Sequence, residues 1–255
     1  MFQVRDDGPV QRLTIDNPAH RNAVPFDQWE RLAELIAEFG SSGARVLVVD
    51  GAGEHFCAGA DVGGTFTPAS VAAGYEVMQH VGRAAEALHA LTKPTIAAVD
   101  GVAVGAGMNL ALGCDVVVAT DRARFSEIFV KRGLTVDFGG TWLLPRRVGM
   151  ARAKELALTG RVFGADEAER IGIVSRVVPA ERLEQEVAAL AAELAAGAPL
   201  AQRFIKAGLD QAFEMSFSEA LAYEWRAQAL LLASEDFVEG VTSFIQKRDP
   251  QFKGR

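Results

Sequence analysis

The sequence predicts an α/β fold, and three features of the 255-residue chain support this class. Two hydrophobic strand patterns, at 46–49 and 95–99, are each followed by Asp-Gly. Each copy then leads to a turn of small residues that opens a helix, at 57–61 and 105–109. Beyond residue 150 the apolar spacing becomes mostly helical. The chain therefore combines repeated strand–turn–helix units with a helical C-terminal part.

The first half contains further predicted elements in order. A strand pair is predicted over 2–16 around the turn at 6–9, and a loop follows at 17–22. An amphipathic helix then ends at the glycine and serine residues 40–43. The segment 62–69 is rich in Gly, Thr and Pro, which predicts a loop near the first turn that helps to shape a pocket.

The second half alternates short strands and helices before it becomes helical. A long helix is predicted at 70–91, a short helix at 108–113, and strands at 115–119 and 124–129. Helices are then predicted at 150–159, 165–171, 181–197, 199–213, 217–233 and 235–247. The last of these contain more apolar residues than a short helical tail can bury, so part of their surface is expected to face another subunit.

Composition and charge limit the function classes. The chain is 49% hydrophobic and 23% charged, which is typical of a globular protein with a substantial core. A net charge of −7 argues against nucleic acid and anionic membranes as partners. Two cysteines without a CxxC pair, and an N-terminus without signal-peptide character, predict a cytoplasmic protein. The four histidines have no metal-ligand spacing, so no metal is expected.

The two small-residue turns have a chemical and a structural interpretation. Brought together, they could direct two backbone N–H groups at one point, which stabilises negative charge developing on a carbonyl oxygen. The alternative is that both turns need glycine only for tight packing. A dinucleotide fingerprint at Gly105-Ala-Gly107 is disfavoured because its third glycine would fall at Leu110.

Six segments along nearly the whole chain point to one family: 56–61, 101–107, 156–160, 165–168, 171–174 and 240–244. Together they resemble the crotonase (enoyl-CoA hydratase/isomerase) superfamily. The resemblance implies a crotonase-type spiral of ββα units over residues 1–198 and a helical trimerisation region over 199–255. It also implies that the N–H groups of Ala60 and Ala106 form an oxyanion hole. The implied partners are an acyl-CoA thioester and further copies of the chain, as a homotrimer or a dimer of trimers.

The resemblance breaks down at the two catalytic positions of the type hydratase. That enzyme has a glutamate just after the second glycine turn and another about twenty residues later, where this chain has Asn109 and Phe129. Hydration needs one group to activate water and another to protonate carbon, and neither residue exchanges a proton. The two-glutamate mechanism is therefore unavailable at these positions, and both residues are assigned to the acyl pocket.

A carboxylate appears further on, at Asp137 in the segment 133–145. From the residues alone, such an Asp is either a helix cap or a base. The segment Gly-Leu-x-x-Asp-x-Gly-Gly-Thr-Trp-Leu-Leu-Pro resembles the ring-1,2-epoxyphenylacetyl-CoA isomerases of phenylacetate degradation and the dienoyl-CoA isomerases. These relatives use the Asp for proton transfer, which favours Asp137 as the catalytic base. Flanking apolar residues are expected to raise its pKa and to exclude water.

Other candidates have weaker support. The dehalogenase relatives use the same Asp as a nucleophile but need a Trp and a His where this chain has Phe129 and Gly82. Glu127 is an alternative base, although a residue in a short strand is more often structural or solvent-facing. The resemblance places coenzyme A at Arg21, Ala58, Phe244 and Lys247. Coenzyme A is part of the substrate, so no separate cofactor is implied.

Three functions follow from these features. The favoured hypothesis is an acyl-CoA isomerase that shifts a double bond, or isomerises a ring, through a thioester enolate with Asp137 as the single base. The first alternative is an enoyl-CoA hydratase of fatty-acid or aromatic-acid degradation that uses Asp137 or Glu127. The second is a non-catalytic acyl-CoA-binding protein, because two usual catalytic positions lack a carboxylate.

Overall fold

The computed structural model describes residues 1–63 and 68–255. The strands in that part are β1 (Phe2–Asp7), β2 (Val10–Ile15), β3 (Val46–Gly51), β4 (Thr95–Val99), β5 (Val102–Val104), β6 (Val116–Thr120), β7 (Arg124–Ser126), β8 (Phe163–Gly164) and β9 (Arg176–Val178). The helices are α1 (Trp29–Ser41), α2 (Val71–His89), α3 (Ala106–Gly113), α4 (Gly140–Val148), α5 (Met150–Thr159), α6 (Ala165–Arg170), α7 (Leu183–Ala196), α8 (Pro199–Asp210), α9 (Phe217–Leu232) and α10 (Glu235–Gln246). Short 3-10 helices lie at Pro18–His20, Phe26–Gln28, Ile128–Arg132 and Ala180–Arg182.

A mainly parallel sheet forms the centre of the molecule. Its strand order is β1-β2-β3-β4-β6-β9, and within this sheet, among the described residues, the β1–β2 pair alone is antiparallel. Side chains of β3 alternate between two cores: Leu47 and Val49 belong to the larger core with α1, whereas Val46 and Val48 pack with α7. Both faces of the sheet are therefore covered, which explains its continuous apolar strands.

A second, smaller sheet, with strand order β5-β7-β8, begins directly after β4. The chain changes sheets at Asp100 and Gly101, and the Asp100 carboxylate accepts hydrogen bonds from Thr120 and Arg122. A Cβ on Gly101 would lie 2.1 Å from the backbone oxygen of Glu54, and Gly101 has a φ of +54°. The glycine of this Asp-Gly step is therefore required by close passage of the chain before the first turn.

The structure confirms most of the predicted elements and adds several that the sequence did not predict. The capping box at Ser216 and Glu219 and the proline at the start of α8 are present. The sequence analysis missed β5, β8 and β9, which have two or three residues each and are too short to show alternation. It also missed α4, whose glycines and internal Pro145 obscure a helical pattern.

The prediction that the first turn opens a helix is wrong. Residue Ala60 instead pairs with Val24 in an isolated parallel bridge. The next helix, α2, starts only at Val71, where the Ser70 hydroxyl accepts a hydrogen bond from the N–H of Ala73. Residues 64–67 of the predicted pocket-shaping loop at 62–69 lie outside the described residues.

Helices α8–α10 expose a large apolar surface. These side chains are more than half exposed: Ile205, Leu209, Phe213, Phe217, Trp225, Leu230, Val238, Phe244 and Ile245. Such a surface is typical of a contact with another protein chain. Within the described residues, no helix is long and apolar enough to cross a bilayer.

Replacing Gly101 with Ala should destabilise the fold, because the new Cβ meets the Glu54 backbone and the positive φ is strained for alanine. We expect a loss of about 1–3 kcal/mol in the free energy of unfolding. The matched control is Gly82→Ala in the interior of α2, where a Cβ contacts nothing within 4 Å. That change should stabilise by up to about 1 kcal/mol. Denaturant unfolding measures both, and equal effects would contradict the close-packing argument.

Candidate active site

The two small-residue turns lie side by side, as the sequence predicts. Cys57 of the first turn pairs with Ala103 of β5 in a parallel bridge. Its N–H donates to the Val102 oxygen at 2.9 Å, and the N–H of Val104 donates to the Cys57 oxygen at 3.0 Å. A Cβ on Gly107 would lie 2.2 Å from that same Cys57 oxygen. Backbone contact this close is possible only because position 107 has no side chain.

The N–H groups of Ala60 and Ala106 lie in this contact region. The N–H of Val24 donates to the Gly59 oxygen at 2.8 Å, and the N–H of Asp61 donates to the Val24 oxygen at 2.9 Å. In a parallel bridge this pattern turns the N–H of Ala60 away from Val24. Ala106 is the first residue of α3, where N–H groups have no intrahelical acceptor. A Cβ on Gly59 would lie 3.3 Å from the nitrogen of Ala106, so the two turns are in contact.

Asn109 connects the second turn to both carboxylate candidates. It lies on α3, three residues after Ala106, and its Nδ2 donates to the backbone oxygen of Asp137 at 3.0 Å. The same Nδ2 donates to Glu127 Oε2 at 3.4 Å. A Cβ on Gly140 would lie 2.3 Å from this Nδ2, so the glycine makes room for the amide. The position of the first glutamate in the type hydratase thus holds a neutral amide that bridges two carboxyl-bearing segments.

Three buried polar atoms in this cluster have no hydrogen-bond partner among the described residues: Asn109 Oδ1, Glu127 Oε1 and Asp137 Oδ1. They are half of the six such side-chain atoms found in that part of the chain, and they belong to three neighbouring residues. Leaving a buried polar atom unpaired costs about 1–3 kcal/mol. Three such atoms at one place are typical of a functional site.

Burial changes the acidity of both carboxyl groups. It raises the pKa of Asp137 to about 7. It also raises the pKa of Glu127 to about 8, where the charge of Asp137 adds to the rise and the hydrogen bond from Asn109 opposes it. Both carboxyl groups therefore hold their protons more tightly than in water, and ionisation of Asp137 favours the protonated form of Glu127. One carboxyl group can accept a proton and the other can donate one.

Asp137 is not a helix cap, so one of its two expected interpretations is wrong. Helix α4 begins at Gly140 with Gly139 as its N-cap residue, and no side chain caps it. The next residue, Phe138, is buried in the left-handed region at a φ of +50° and packs on Trp29, with ring centroids 5.6 Å apart. This strained conformation is unusual for a bulky residue and is typical of functional sites.

Glu127 is not solvent-facing, which corrects the expectation for a residue in a short strand. It follows β7, starts the 3-10 helix Ile128–Arg132, and is fully buried. Sequence reasoning underestimated it because an isolated carboxylate in a short element gives no periodic signal. The sequence signal for its burial is its position between a buried strand and the apolar residues 128–130.

Phe129 lies against the second turn. Its ring is 6% exposed, and a Cβ on Gly105 would lie 3.5 Å from its Cζ. The aromatic ring therefore limits the space beside the N-terminus of α3. This placement is compatible with the predicted acyl-pocket role of Phe129, which stays a prediction, as does that of Asn109.

The predicted coenzyme-binding residues fall into two groups. Arg21 and Ala58 are adjacent, since the N–H of Ala58 donates to the Arg21 oxygen at 3.0 Å, and the Arg21 side chain is exposed. Phe244 and Lys247 lie at the exposed end of α10. In the described part of a single chain, no hydrogen bond or ion pair connects Phe244 or Lys247 with the turns.

Two other chemistries find little support in the described residues. Burial raises the pKa of the Cys57 thiol to about 12, so this residue of the first turn stays protonated and is a poor nucleophile. No group of three or more His, Cys, Asp or Glu side chains in the described ranges could hold a metal ion. Asp137 and Glu127 are the carboxyl groups of the site whose pKa values burial raises towards neutrality.

Comparisons with known proteins agree with this geometry. The family model described as Enoyl-CoA hydratase/isomerase matches residues 6–255. The chain is 38% identical to the 1,2-epoxyphenylacetyl-CoA isomerase of Escherichia coli strain K12, with 96% of this chain and 95% of that protein covered. It is also 38% identical to the 2,3-dehydroadipyl-CoA hydratase of the same strain, with 96% of each covered. Hydratase names predominate among similar relatives.

A solved structure shows the same fold. The enoyl-CoA hydratase from Bacillus anthracis superposes with a TM-score of 0.93 at 30% identity, covering 100% of this chain and 99% of the other. Together with the family match and the paired turns, this places the fold in the crotonase class that the sequence predicts. The chain belongs to the enoyl-CoA hydratase/isomerase family of enzymes.

Proposed function

We propose that this enzyme is an acyl-CoA isomerase that moves a carbon–carbon double bond, or isomerises a ring, with Asp137 as the base. The observation that supports this most directly is the state of the Asp137 carboxyl. One of its oxygens is buried without a partner, and burial raises its pKa to about 7. Asn109 also fixes the Asp137 backbone to the helix that begins at Ala106. A base of suitable acidity is thus attached to the predicted oxyanion hole.

The mechanism follows from this arrangement. The thioester oxygen accepts hydrogen bonds from the N–H groups of Ala60 and Ala106, which stabilise negative charge as it develops. The Asp137 carboxylate removes a proton from the acyl chain, and the C–H electrons delocalise into an enolate. Returning a proton to a different carbon completes the double-bond shift. Arg21 and Ala58, with Phe244 and Lys247 of a neighbouring subunit, bind the coenzyme part of the substrate.

Hydration is the second candidate function, because hydratase names predominate among the similar relatives and Glu127 adds a second carboxyl group to the site. Incubation with a 3-enoyl-CoA and with a 2-enoyl-CoA, followed by mass spectrometry, separates the two. A 2-enoyl product of unchanged mass supports isomerisation. A gain of one water by the 2-enoyl-CoA supports hydration, and binding without turnover of either compound supports a non-catalytic acyl-CoA-binding protein.

The variant Asp137→Asn should lose isomerase activity, because the amide keeps the shape but cannot accept the proton. We expect kcat to fall by about 10²- to 10⁴-fold, the usual contribution of a positioned acid–base group. Affinity for the thioester, measured by calorimetry with a non-reactive saturated acyl-CoA, should change little. Asp50→Asn is the matched control, since Asp50 is also a partly buried carboxyl with one buried, unpaired oxygen but pairs with Arg12 on the main sheet. Turnover by the Asp137 variant at the control's rate would refute the mechanism.

The reaction should also depend on pH in a defined direction. Asp137 must be ionised to act as a base, and its pKa is raised to about 7. We therefore expect kcat/KM to fall about tenfold per pH unit below that value and to level off just above it. Steady-state kinetics from pH 5 to 8 provide the measurement. A rate independent of pH down to about 5 would mean that a carboxyl of ordinary acidity acts as the base.

We also propose that the apolar surface of α8–α10 joins copies of the chain into a homotrimer or a dimer of trimers. Phe213, Phe217 and Trp225 are each more than two-thirds exposed in the single chain. Burying such rings offsets the cost of association. Light scattering coupled to size-exclusion chromatography should give three or six times the 27.2 kDa chain mass. Changing Trp225 to Ser should shift this mass towards the monomer, whereas a monomeric wild type would overturn the proposal.

A further inference from the structure

We propose that Glu127 is a second proton-transfer residue of the site, and that it protonates the enolate that Asp137 generates. The inference rests on the proposed function, because it assigns the first proton abstraction to Asp137. It assigns the last step of the reaction, protonation of the enolate, to a second carboxyl group. One carboxyl group takes a proton from the acyl chain, and a different one supplies the proton to the new position.

The geometry of Glu127 supports this role. It is fully buried, and the Asn109 Nδ2 that donates to it also donates to the Asp137 backbone oxygen, so one side chain contacts both carboxyl-bearing segments. Only Oε2 has a protein partner, and Oε1 is unpaired among the described residues. A structural glutamate in a protein interior normally has both oxygens paired with donors. An unpaired oxygen beside two other unpaired atoms instead leaves hydrogen-bonding capacity for a reacting molecule.

Burial keeps Glu127 in the protonated form, and the charge of ionised Asp137 adds to this effect. Among the described ionisable groups, Asp137 is the one whose charge acts on it to raise the pKa. Charged side chains of its own 3-10 helix and of α5, which packs on that helix, are exposed to solvent: Lys131, Arg132, Arg152, Lys154 and Glu155. No cation among them reaches Glu127 to stabilise a carboxylate. When Asp137 is ionised, a second negative charge beside it is unfavourable, so Glu127 is the natural proton donor.

The proton balance is complete with the residues present. Asp137 breaks a C–H bond of the acyl chain and becomes a carboxylic acid, and the electron pair passes to the enolate. Glu127 then donates its O–H proton to the other carbon, where a new C–H bond forms, and becomes a carboxylate. Solvent afterwards takes the proton from Asp137 and returns one to Glu127. The substrate therefore leaves with the same composition.

The test uses the full-length enzyme and a 3-enoyl-CoA in deuterium oxide. Two rates are measured: formation of the 2-enoyl product and exchange of deuterium into recovered substrate. In Glu127→Gln, product formation should fall by about 10²-fold or more, as expected for a lost acid. Exchange should persist, because Asp137 still removes and returns a proton. Asp137→Asn should lose both rates, and Asp50→Asn should retain both.

Each pattern has a defined meaning. A Glu127→Gln enzyme with unchanged product formation overturns the inference but leaves the proposed function intact. Loss of exchange together with product formation, in a variant that melts at the wild-type temperature, also overturns it. If Asp137→Asn retains both rates, the proposed function itself fails.

The pH profile of the wild-type enzyme gives an independent measurement. Wild-type kcat/KM should decline above about pH 8, the pKa of Glu127, since the acid is then lost. This upper limb should be absent in Glu127→Gln and present in Glu127→Asp, which keeps a carboxyl group. A wild-type profile that stays flat up to pH 9 would contradict the role of Glu127.

Discussion

Direct backbone contact between the two turns is the constraint on which the candidate site depends. The contact requires positions without side chains, because a Cβ on Gly107 would overlap the Cys57 oxygen and one on Gly59 would crowd the Val104 oxygen. Gly101 of the second Asp-Gly step contributes to the same contact, because its missing side chain lets the backbone at Glu54 pass close to it. The repeated pattern in the sequence is thus a packing requirement. The glycines that permit close approach also bring the N–H groups of Ala60 and Ala106 into one region, where the proposed mechanism uses them.

The second property of the site is that the surroundings of its two carboxyl groups stabilise their ionised forms poorly. Glu127 is fully buried, and Asp137 is partly buried with its Oδ1 shielded from solvent. No cation of the described residues pairs with them, and each therefore binds its proton more tightly than in solution. Their proximity makes double ionisation costly, so ionisation of one group favours the protonated form of the other. The neutral side chain of Asn109 is compatible with two neighbouring carboxyl groups. A glutamate there would add a third buried carboxyl to the cluster, whereas the amide donates to Glu127 and to the Asp137 backbone without charge.

Much of the fold could be predicted from the sequence, because long periodic helices and buried β-branched strands give strong local signals. The boundaries of β4 and α5 agree with the structure, and so does the capping box at Ser216. The pairing of the two turns was predicted from their similarity. The burial of Glu127 was not, because it arises from the packing of α3 and the segment before α4 around one residue, and contacts distant in sequence leave no local pattern. For the same reason, the cap interpretation of Asp137 could be discarded only when α4 was seen to begin beyond it.

The choice between isomerisation and hydration depends on what occupies the space beside Asp137. Hydration requires a water held at attacking distance from the acyl chain, with groups that orient it. Isomerisation requires instead that water be kept away from the enolate while a proton moves between carbons. In this protein, Phe129 closes one side of the second turn, and Phe138, the residue after Asp137, is buried against Trp29. The polar groups that remain are an amide and two carboxyls of weakened acidity. This balance of aromatic walls and proton-transfer groups favours isomerisation, even though hydratase names are the more frequent among the relatives.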